Sequence, residues 1–222
     1  MCEFADINCL IWDWNGTLLD DVEISIRSMN QMLEKRGYPL LDKKAYRSVF
    51  TFPVRDYYVR AGMKFEEHEW ETVAMEFIHN YKANFAATHL HKGAKAILEF
   101  FGRRKIRQFI LSAMQQDFLN ETLSLTGIAG MFEEVVGLND HFAATKTGNA
   151  VRLITDKNMD KHNTLMIGDT IHDFEVAQAA GIRCILIAHG HQSYERLKGT
   201  GTPVVQDFDA LKALFSNAEK IF

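Results

Sequence analysis

The chain has 222 residues, of which 47% are hydrophobic and 24% are charged, so it is not disordered as a whole and is long enough for one sizeable core with a small inserted domain. Its 25 basic and 29 acidic residues give a formal charge of −4, and without a dense basic surface we expect no nucleic-acid partner. The three cysteines, Cys2, Cys9 and Cys184, have no CxxC spacing, which argues against a disulfide framework or a zinc site. The apolar runs are too short to span a membrane, so we expect a cytoplasmic protein without a membrane partner.

Five short apolar runs are predicted to be buried strands, because each is bounded by polar or glycine-containing segments. In chain order they are Asn8–Trp12, Ile106–Leu111, Glu134–Gly137, Thr164–Ile167 and Ile182–Ala188. Helical patterns separate them, and strands that alternate with helices indicate a parallel sheet covered on both faces. The predicted fold class is therefore α/β, with a three-layer, Rossmann-like parallel sheet as its core.

The interval between the first two strands breaks this alternation. Apolar residues at helical spacing form two stripes there, one of Val22, Ile26, Met29 and Leu33 and one of Trp70, Val73, Phe77 and Tyr81. We expect both stripes to be packing faces of helices. Residues 18–89 are therefore interpreted as an all-helical domain inserted after the first strand, and residues 1–17 and 90–222 as the α/β core.

The residues that follow the strands are the candidates for chemistry, since ligands of doubly wound sheets bind beyond the carboxyl ends of the strands. Asp13 follows the first strand, Ser112 the second, Lys146 the third, and Asp169 and Asp173 the fourth. Each of them alone has a plainer interpretation, as a turn residue, a helix cap or a surface lysine. Together, an acid, a hydroxyl, a cation and an acid pair suit a phosphate group and a divalent metal ion.

These residues, in this order, resemble the motifs of haloacid dehalogenase superfamily hydrolases over nearly the whole chain. The resemblance rests on Asp13–Thr17 for the DxDGT-like motif, on Ser112 and Lys146, and on Gly168–Asp173 for the GDxxxD motif. The helical insertion is similar to the cap domain of that family. Within the superfamily, the chain is most similar to phosphoglycolate phosphatase and β-phosphoglucomutase relatives.

The resemblance implies a Mg²⁺-dependent phosphatase that acts on a small phosphorylated metabolite, as a monomer or homodimer. Asp13 is expected to attack phosphorus and form an aspartyl-phosphate. The implied Mg²⁺ ligands are Asp13, the backbone carbonyl of Asn15, Asp169 and Asp173. The implied substrate contacts are Ser112 and Lys146 at the phosphoryl group, with Gly16, Thr17, Ala113 and, for an anionic tail, the cap residue Arg55.

The chain departs from the family at Asn15, where its phosphatases usually have a second aspartate. That aspartate protonates the leaving group and later activates water, a contribution of about 10²- to 10⁴-fold that an amide cannot make. Aryl and acyl phosphates, whose leaving groups need little protonation, are expected to suffer least. Two hypotheses restore the missing acid: His141 or His172 replaces it, or the Asn15-Gly16 pair deamidates.

Two rival functions stay open at this point. One is a phosphonatase or dehalogenase of the same fold. A phosphonatase needs a cap lysine, for which Lys35, Lys43, Lys44 and Lys64 are present, whereas dehalogenation has no use for the acid pair that serves a metal. The other is a catalytically weak protein that binds phosphorylated metabolites, which Asn15 alone favours.

Overall fold

The computed structural model describes residues 4–138 and 145–216. Its strands are β1 (Cys9–Trp12), β2 (Leu19–Asp20), β3 (His89–Leu90), β4 (Arg107–Gln115), β5 (Glu134–Leu138), β6 (Thr164–Gly168), β7 (Arg183–Ile187) and β8 (Val204–Val205). Its α-helices are α1 (Val22–Lys35), α2 (Lys43–Val49), α3 (Val54–Arg60), α4 (Trp70–Asn84), α5 (Ala94–Arg103), α6 (Gln116–Ser124), α7 (Lys146–Asp156), α8 (Ile171–Ala180), α9 (Tyr194–Lys198) and α10 (Phe208–Ser216). None of the described helices has the length and hydropathy of a membrane span.

Six of the described strands form one parallel sheet in the order β5-β4-β1-β6-β7-β8. Trp12 at the end of β1 is in register with Ile110 of β4 on one side and Ile167 of β6 on the other. Along the chain, β4 and β5 are added on one side of β1, and β6, β7 and β8 are added on its other side. The strand order therefore reverses between β1 and β6, which is where ligands bind in such sheets. The predicted α/β fold with a Rossmann-like parallel sheet is confirmed.

Both faces of the sheet are buried. Leu10 and Trp12 of β1 pack into one apolar cluster with side chains of α5, α6 and α10, while Ile11 packs into another with α7 and α8. Successive side chains of a strand point to opposite faces, so a central strand must be apolar at every position to fill both layers. All four residues of β1 are buried accordingly.

Four helices lie between β2 and β3, where the sequence predicts the helical insertion. The two short strands pair antiparallel, with Leu19 opposite Leu90 and Asp20 opposite His89; pairings of two residues leave no periodic pattern in a sequence. The helices α1 to α4 build an apolar cluster of their own, with Met29, Tyr46 and Tyr57 among its buried side chains. The domain boundaries at residues 18 and 89 stay a prediction.

Arg47 of α2 binds the loop that follows β7. Its Nε donates to the carbonyl oxygen of Gly190 at 2.8 Å, and its Nη2 donates to that of Ala188 at 2.7 Å. Arg196 of α9 donates in turn to the carbonyl oxygens of Arg47 and Phe50. These charge-assisted hydrogen bonds hold α2 beside the carboxyl end of β7.

Two histidines stack where β3 and β7 end. The ring centroids of His91 and His189 are 3.7 Å apart and their planes are 11° from parallel, and Phe208 packs edge-on against His189 at 5.0 Å. Asp20 is the nearby acid, with its Oδ2 3.7 Å from His91 Nδ1. Burial lowers the pKa of His91 to about 4 and that of His189 to about 3, so both rings are neutral at pH 7.

We expect this pair to make the fold sensitive to acid. In the unfolded chain both histidines take up protons near pH 6.5, whereas the folded pair does not until the pH is about 4 or lower. Each histidine therefore lowers the free energy of unfolding by up to about 2 kcal/mol between pH 7 and pH 5. Urea unfolding of the wild type and of His91→Phe at both pH values measures this contribution.

The His91→Phe variant keeps an aromatic ring in the stack and removes one titrating group. It is expected to lose about half of the acid sensitivity that the pair contributes. His79→Phe, at an exposed position of α4, is the matched control and keeps it. Identical pH dependence in wild type and His91→Phe would contradict the prediction.

Candidate active site

Three carboxylates meet at the carboxyl edge of the sheet. Asp13 follows β1, Asp169 follows β6, and Asp173 lies in the first turn of α8. One oxygen from each lies within 4.8 Å of the other two, and all three residues are buried. The backbone nitrogen of Asp13 donates to Ile167 O at 2.8 Å and so fixes the ends of β1 and β6 together. Converging carboxylate oxygens are the donor set that a divalent cation requires.

Lys146 supplies positive charge to this cluster. It is the first residue of α7, and its Nζ contacts Asp13 Oδ1 and lies 2.6 Å from Asp173 Oδ1. Burial alone would lower the pKa of Lys146, but the Asp13 and Asp173 carboxylates outweigh burial and raise it. The lysine is therefore charged, and it is held between two of the three acids.

One lysine does not balance three acids. Burial raises the pKa of Asp13, and the carboxylates of Asp173 and Asp169 add to this shift although Lys146 opposes it. Burial also raises the pKa of Asp169, against the effect of His191. Because like charges in a buried site disfavour ionisation, a bound cation would stabilise the ionised cluster. The residues present therefore fit a divalent metal ion.

Thr17 and Gly16 lie against the acidic residues of the cluster. Thr17 Oγ1 donates to Asp169 Oδ1 at 3.0 Å and lies 3.3 Å from Asp13 Oδ2. Gly16 has a φ of +74°, in the left-handed region, and a Cβ there would collide with the Asp169 carboxylate and the His191 ring. Only glycine fits this turn without strain. Substrate contact by Gly16 or Thr17 stays a prediction.

The amide of Asn15 is fixed by three neighbours. Its Nδ2 donates to Asp21 Oδ2 at 2.9 Å and to the Tyr81 hydroxyl at 3.0 Å, and its Oδ1 accepts from Ser112 Oγ at 3.4 Å. Ser112 itself lies within β4, because that strand continues to Gln115. Asn15 is thus a positioned hydrogen-bonding group without a proton to transfer.

Asp21 and His191 form a buried pair beside Asn15. Asp21 Oδ1 lies 3.2 Å from His191 Nε2 and accepts from Gly16 N at 2.8 Å. Asp21 Oδ2 accepts from Tyr81 at 2.7 Å as well as from Asn15. Both carboxylate oxygens of Asp21 are therefore occupied.

The other side of His191 is also occupied. Its Nδ1 lies 2.8 Å from the Tyr46 hydroxyl, and its backbone nitrogen donates to Asp169 Oδ2 at 2.6 Å. Burial disfavours the charged form of both residues, but the opposite charge of the partner, together with the nearby hydrogen bonds, has the larger effect on each pKa. The pKa of His191 rises to about 9 and that of Asp21 falls. The two form an ion pair at neutral pH, with no ring nitrogen or carboxylate oxygen left for a substrate.

A cavity of about 240 Å³ opens above the acid cluster. The chemically active side chains Asp13, Asn15, Lys146 and Asp173 line one end of it, and Ala113 lies beside them. The rest of its lining is dominated by aromatic rings, namely Phe50, Phe52, Tyr57, Tyr58, Trp70, Phe77, Tyr81 and Phe118. The insertion therefore contributes mainly aromatic and apolar side chains to the cavity, with Asp21 as its charged lining residue.

The sequence pattern of the haloacid dehalogenase-like hydrolase family matches residues 10–187. The chain belongs to the haloacid dehalogenase-like hydrolase family. The match covers β1 through β7 and all the residues of the acid cluster. The resemblance found in the sequence is thereby confirmed.

Similar proteins agree with this family. A phosphoglycolate phosphatase of Aliivibrio fischeri is 26% identical over 227 residues, which cover 97% of this chain and 99% of that protein. An N-acetylmuramic acid 6-phosphate phosphatase of Pseudomonas putida is 24% identical, over 83% of this chain and 84% of that protein. A haloacid dehalogenase-like hydrolase from Streptococcus pneumoniae has the same fold, with a TM-score of 0.81 at 18% identity over 95% of this chain and 99% of that one. The prediction that the chain is a hydrolase of the phosphatase type is confirmed.

Two other residues that the sequence predicted for the site, Arg55 and His172, are not among the described residues that line the cavity. Arg55 is not among the described residues that line the cavity, and its guanidinium forms an ion pair with Glu67 on the surface of the insertion. The structure therefore does not bring Arg55 to the site, and its proposed contact with an anionic tail loses its basis. His172 stacks on Phe52 at 4.6 Å and does not line the cavity. His141 lies outside the described residues.

Sequence reasoning missed Asp21 and His191, although each had a signal. His191 comes shortly after the predicted strand Ile182–Ala188. Its position beyond a strand end therefore marks it as a candidate site residue. Asp21 forms an acid pair with Asp20 at the start of the insertion. Nothing in the sequence, however, showed that these two residues are partners.

Proposed function

We propose that the protein is a Mg²⁺-dependent phosphatase that hydrolyses a small phosphorylated metabolite through an aspartyl-phosphate on Asp13. The observation that carries this proposal is the convergence of three buried carboxylates and Lys146 at a cavity that Asp13, Lys146 and Asp173 line. The similarity to a phosphoglycolate phosphatase and to an N-acetylmuramic acid 6-phosphate phosphatase supports a phosphate ester as substrate.

The residues have distinct roles in this proposal. Asp13, Asp169, Asp173 and the backbone carbonyl of Asn15 would hold Mg²⁺, which when bound supplies positive charge against the repulsion between carboxylate and phosphate. Asp13 attacks phosphorus, while Lys146 orients its carboxylate and offsets charge on the transferring group. Ser112 donates to a phosphoryl oxygen once the substrate replaces the Asn15 amide oxygen as its acceptor. Water then hydrolyses the aspartyl-phosphate.

Acetyl phosphate is the probe that tests this function, because it is small and its leaving group needs no protonation. We expect release of inorganic phosphate with Mg²⁺, loss of release with EDTA, and recovery when Mg²⁺ is returned. Acid quenching during turnover is expected to trap one phosphoryl group per chain, which peptide mass spectrometry places on Asp13. Failure to hydrolyse any acyl, aryl or alkyl phosphate, with stoichiometric binding instead, would favour the binding-protein alternative.

The phosphonatase alternative gains no support from the described residues. That chemistry needs a lysine of the insertion at the cavity, and Lys146 is the lysine among the described lining residues. Lys35 and Lys43 form surface ion pairs with Glu76 and Glu23. A covalent imine with a carbonyl substrate therefore has no lysine placed to form it.

A further inference from the structure

The cavity above Asp13 offers no free positive charge to a substrate tail. Among its described lining residues the cationic groups are Lys146 and His191, and both already face carboxylates. Its remaining wall is largely aromatic, with Phe50, Phe77 and Phe118 among the lining residues. A carboxylate or a second phosphate on the substrate would lose its water there without gaining a partner, which is unfavourable. An uncharged ring fits this wall, since aromatic groups pack well against one another.

Among the described residues, the active end of the cavity offers no free group to protonate a leaving oxygen. Asn15 has an amide, and both carboxylate oxygens of Asp21 and both ring nitrogens of His191 are engaged with other residues. With these residues the leaving group departs as an anion. A phenol, with a pKa of about 10 like that of tyrosine, leaves as an anion far more readily than an aliphatic alcohol, whose pKa is near that of water at about 16.

We propose that the substrates are aryl phosphates, that is, phosphate esters of an uncharged phenol-type ring. This inference rests on the proposed phosphatase function. A carboxylate oxygen of Asp13 bonds to phosphorus as the bond from phosphorus to the ring oxygen breaks. The bonding electron pair leaves on the phenolate oxygen, which later takes a proton from solvent. Water then cleaves the aspartyl-phosphate and releases inorganic phosphate.

A comparison of matched esters tests the leaving-group part. Phenyl phosphate and benzyl phosphate have rings of the same size, but benzyl alcohol is a much poorer leaving group. With Mg²⁺ we expect kcat/KM for phenyl phosphate to exceed that for benzyl phosphate and for phosphoglycolate by at least about 100-fold, the value that general acid catalysis would otherwise contribute. Across substituted phenyl phosphates, kcat/KM should fall steeply as the pKa of the phenol rises. Equal rates for phenyl and benzyl phosphate, or a preference for phosphoglycolate, would overturn the proposal.

A charge placed in the aromatic wall tests the binding part. Ile78 is half-buried on α4 and lines the cavity, so Ile78→Lys is expected to raise KM for phenyl phosphate about tenfold by removing apolar contact. Met75→Lys, on the same helix at a position that is 43% exposed, is the matched control and should change neither that KM nor the hydrolysis of acetyl phosphate. Unchanged KM for phenyl phosphate in Ile78→Lys counts against the aromatic wall as the binding surface.

The two proposals fail in distinguishable ways. Hydrolysis of acetyl phosphate depends on Asp13 and the metal ion but not on the aromatic wall. If acetyl phosphate is hydrolysed and aryl esters are not preferred, the substrate class is wrong and the phosphatase function stands. If no phosphate compound is hydrolysed, the proposed function itself is wrong.

Discussion

Replacing Asp13 with asparagine is expected to lower kcat for acetyl phosphate by at least about 10⁴-fold, because an amide cannot form the aspartyl-phosphate. The side chain keeps its size, so the loss is chemical rather than steric. Inorganic phosphate release under saturating substrate and Mg²⁺ measures it, and acid quenching should trap no phosphoryl group on the variant. Asp156→Asn, the same change at an exposed position of α7, is the control.

Stability measurements separate this loss from unfolding. In the metal-free protein the Asp13 carboxylate is buried beside Asp169 and Asp173, which raises its pKa and opposes its ionisation. Asp13→Asn is therefore expected to have a melting temperature no lower than that of the wild type at pH 8 without metal. A variant that keeps more than about 1% of the activity while folded would rule out Asp13 as the nucleophile.

Replacing Asp21 with alanine is expected to lower the free energy of unfolding by about 3–5 kcal/mol at pH 7. Asp21 accepts from Gly16 N, Asn15 and Tyr81 and forms the ion pair with His191. Alanine leaves those buried donors without an acceptor and His191 without its main counter-charge. Urea denaturation of the metal-free protein measures the difference. Asp20→Ala, at the neighbouring and more exposed acid, should cost less than about 1 kcal/mol.

The Asp21 effect should also depend on pH. The pKa of His191 is raised to about 9 in the folded protein, so its contribution is complete below pH 6.5 and is lost as the pH rises through about 9. The pKa of Asp21 is lowered, so its contribution is present above about pH 4 and is lost in acid. The destabilisation in Asp21→Ala should therefore be largest between these limits. A difference that does not shrink at pH 10 would exclude the ion pair as its cause.

Asp21 also gives a physical reason for the unusual Asn15. Asn15 Nδ2 donates to Asp21 Oδ2 at 2.9 Å. An aspartate at position 15 would place a half-buried carboxylate at that distance from the buried Asp21 carboxylate, and the repulsion would favour a proton on one of them. The amide satisfies Asp21 without this repulsion, and the chain does without the usual acid.

The sequence alone determined the fold class and the acid set. The strands are largely apolar because both faces of a parallel sheet are covered, and the ends of such strands meet at one edge. Asp13, Asp169 and Asp173 could therefore be assigned to one site without coordinates. Lys146 could be assigned to the same site, but the sequence did not predict that Lys146 begins a helix.

Tertiary structure alone decided which residues complete the site. Asp21 and His191 are far apart in the chain and become partners only because the loop after β7 packs against the turn that follows β1. The stripe of α4 is predicted to be a packing face, and Val73 does pack into the cluster of the insertion, but Trp70, Phe77 and Tyr81 also line the cavity. Periodicity shows only that a helix face is apolar, not whether it packs against protein or faces a ligand. Arg55 shows the reverse: its charge favoured a substrate contact, but Glu67 holds it on the surface. Contacts between residues that are distant in the chain depend on how the helices and strands pack, and no local sequence pattern predicts them.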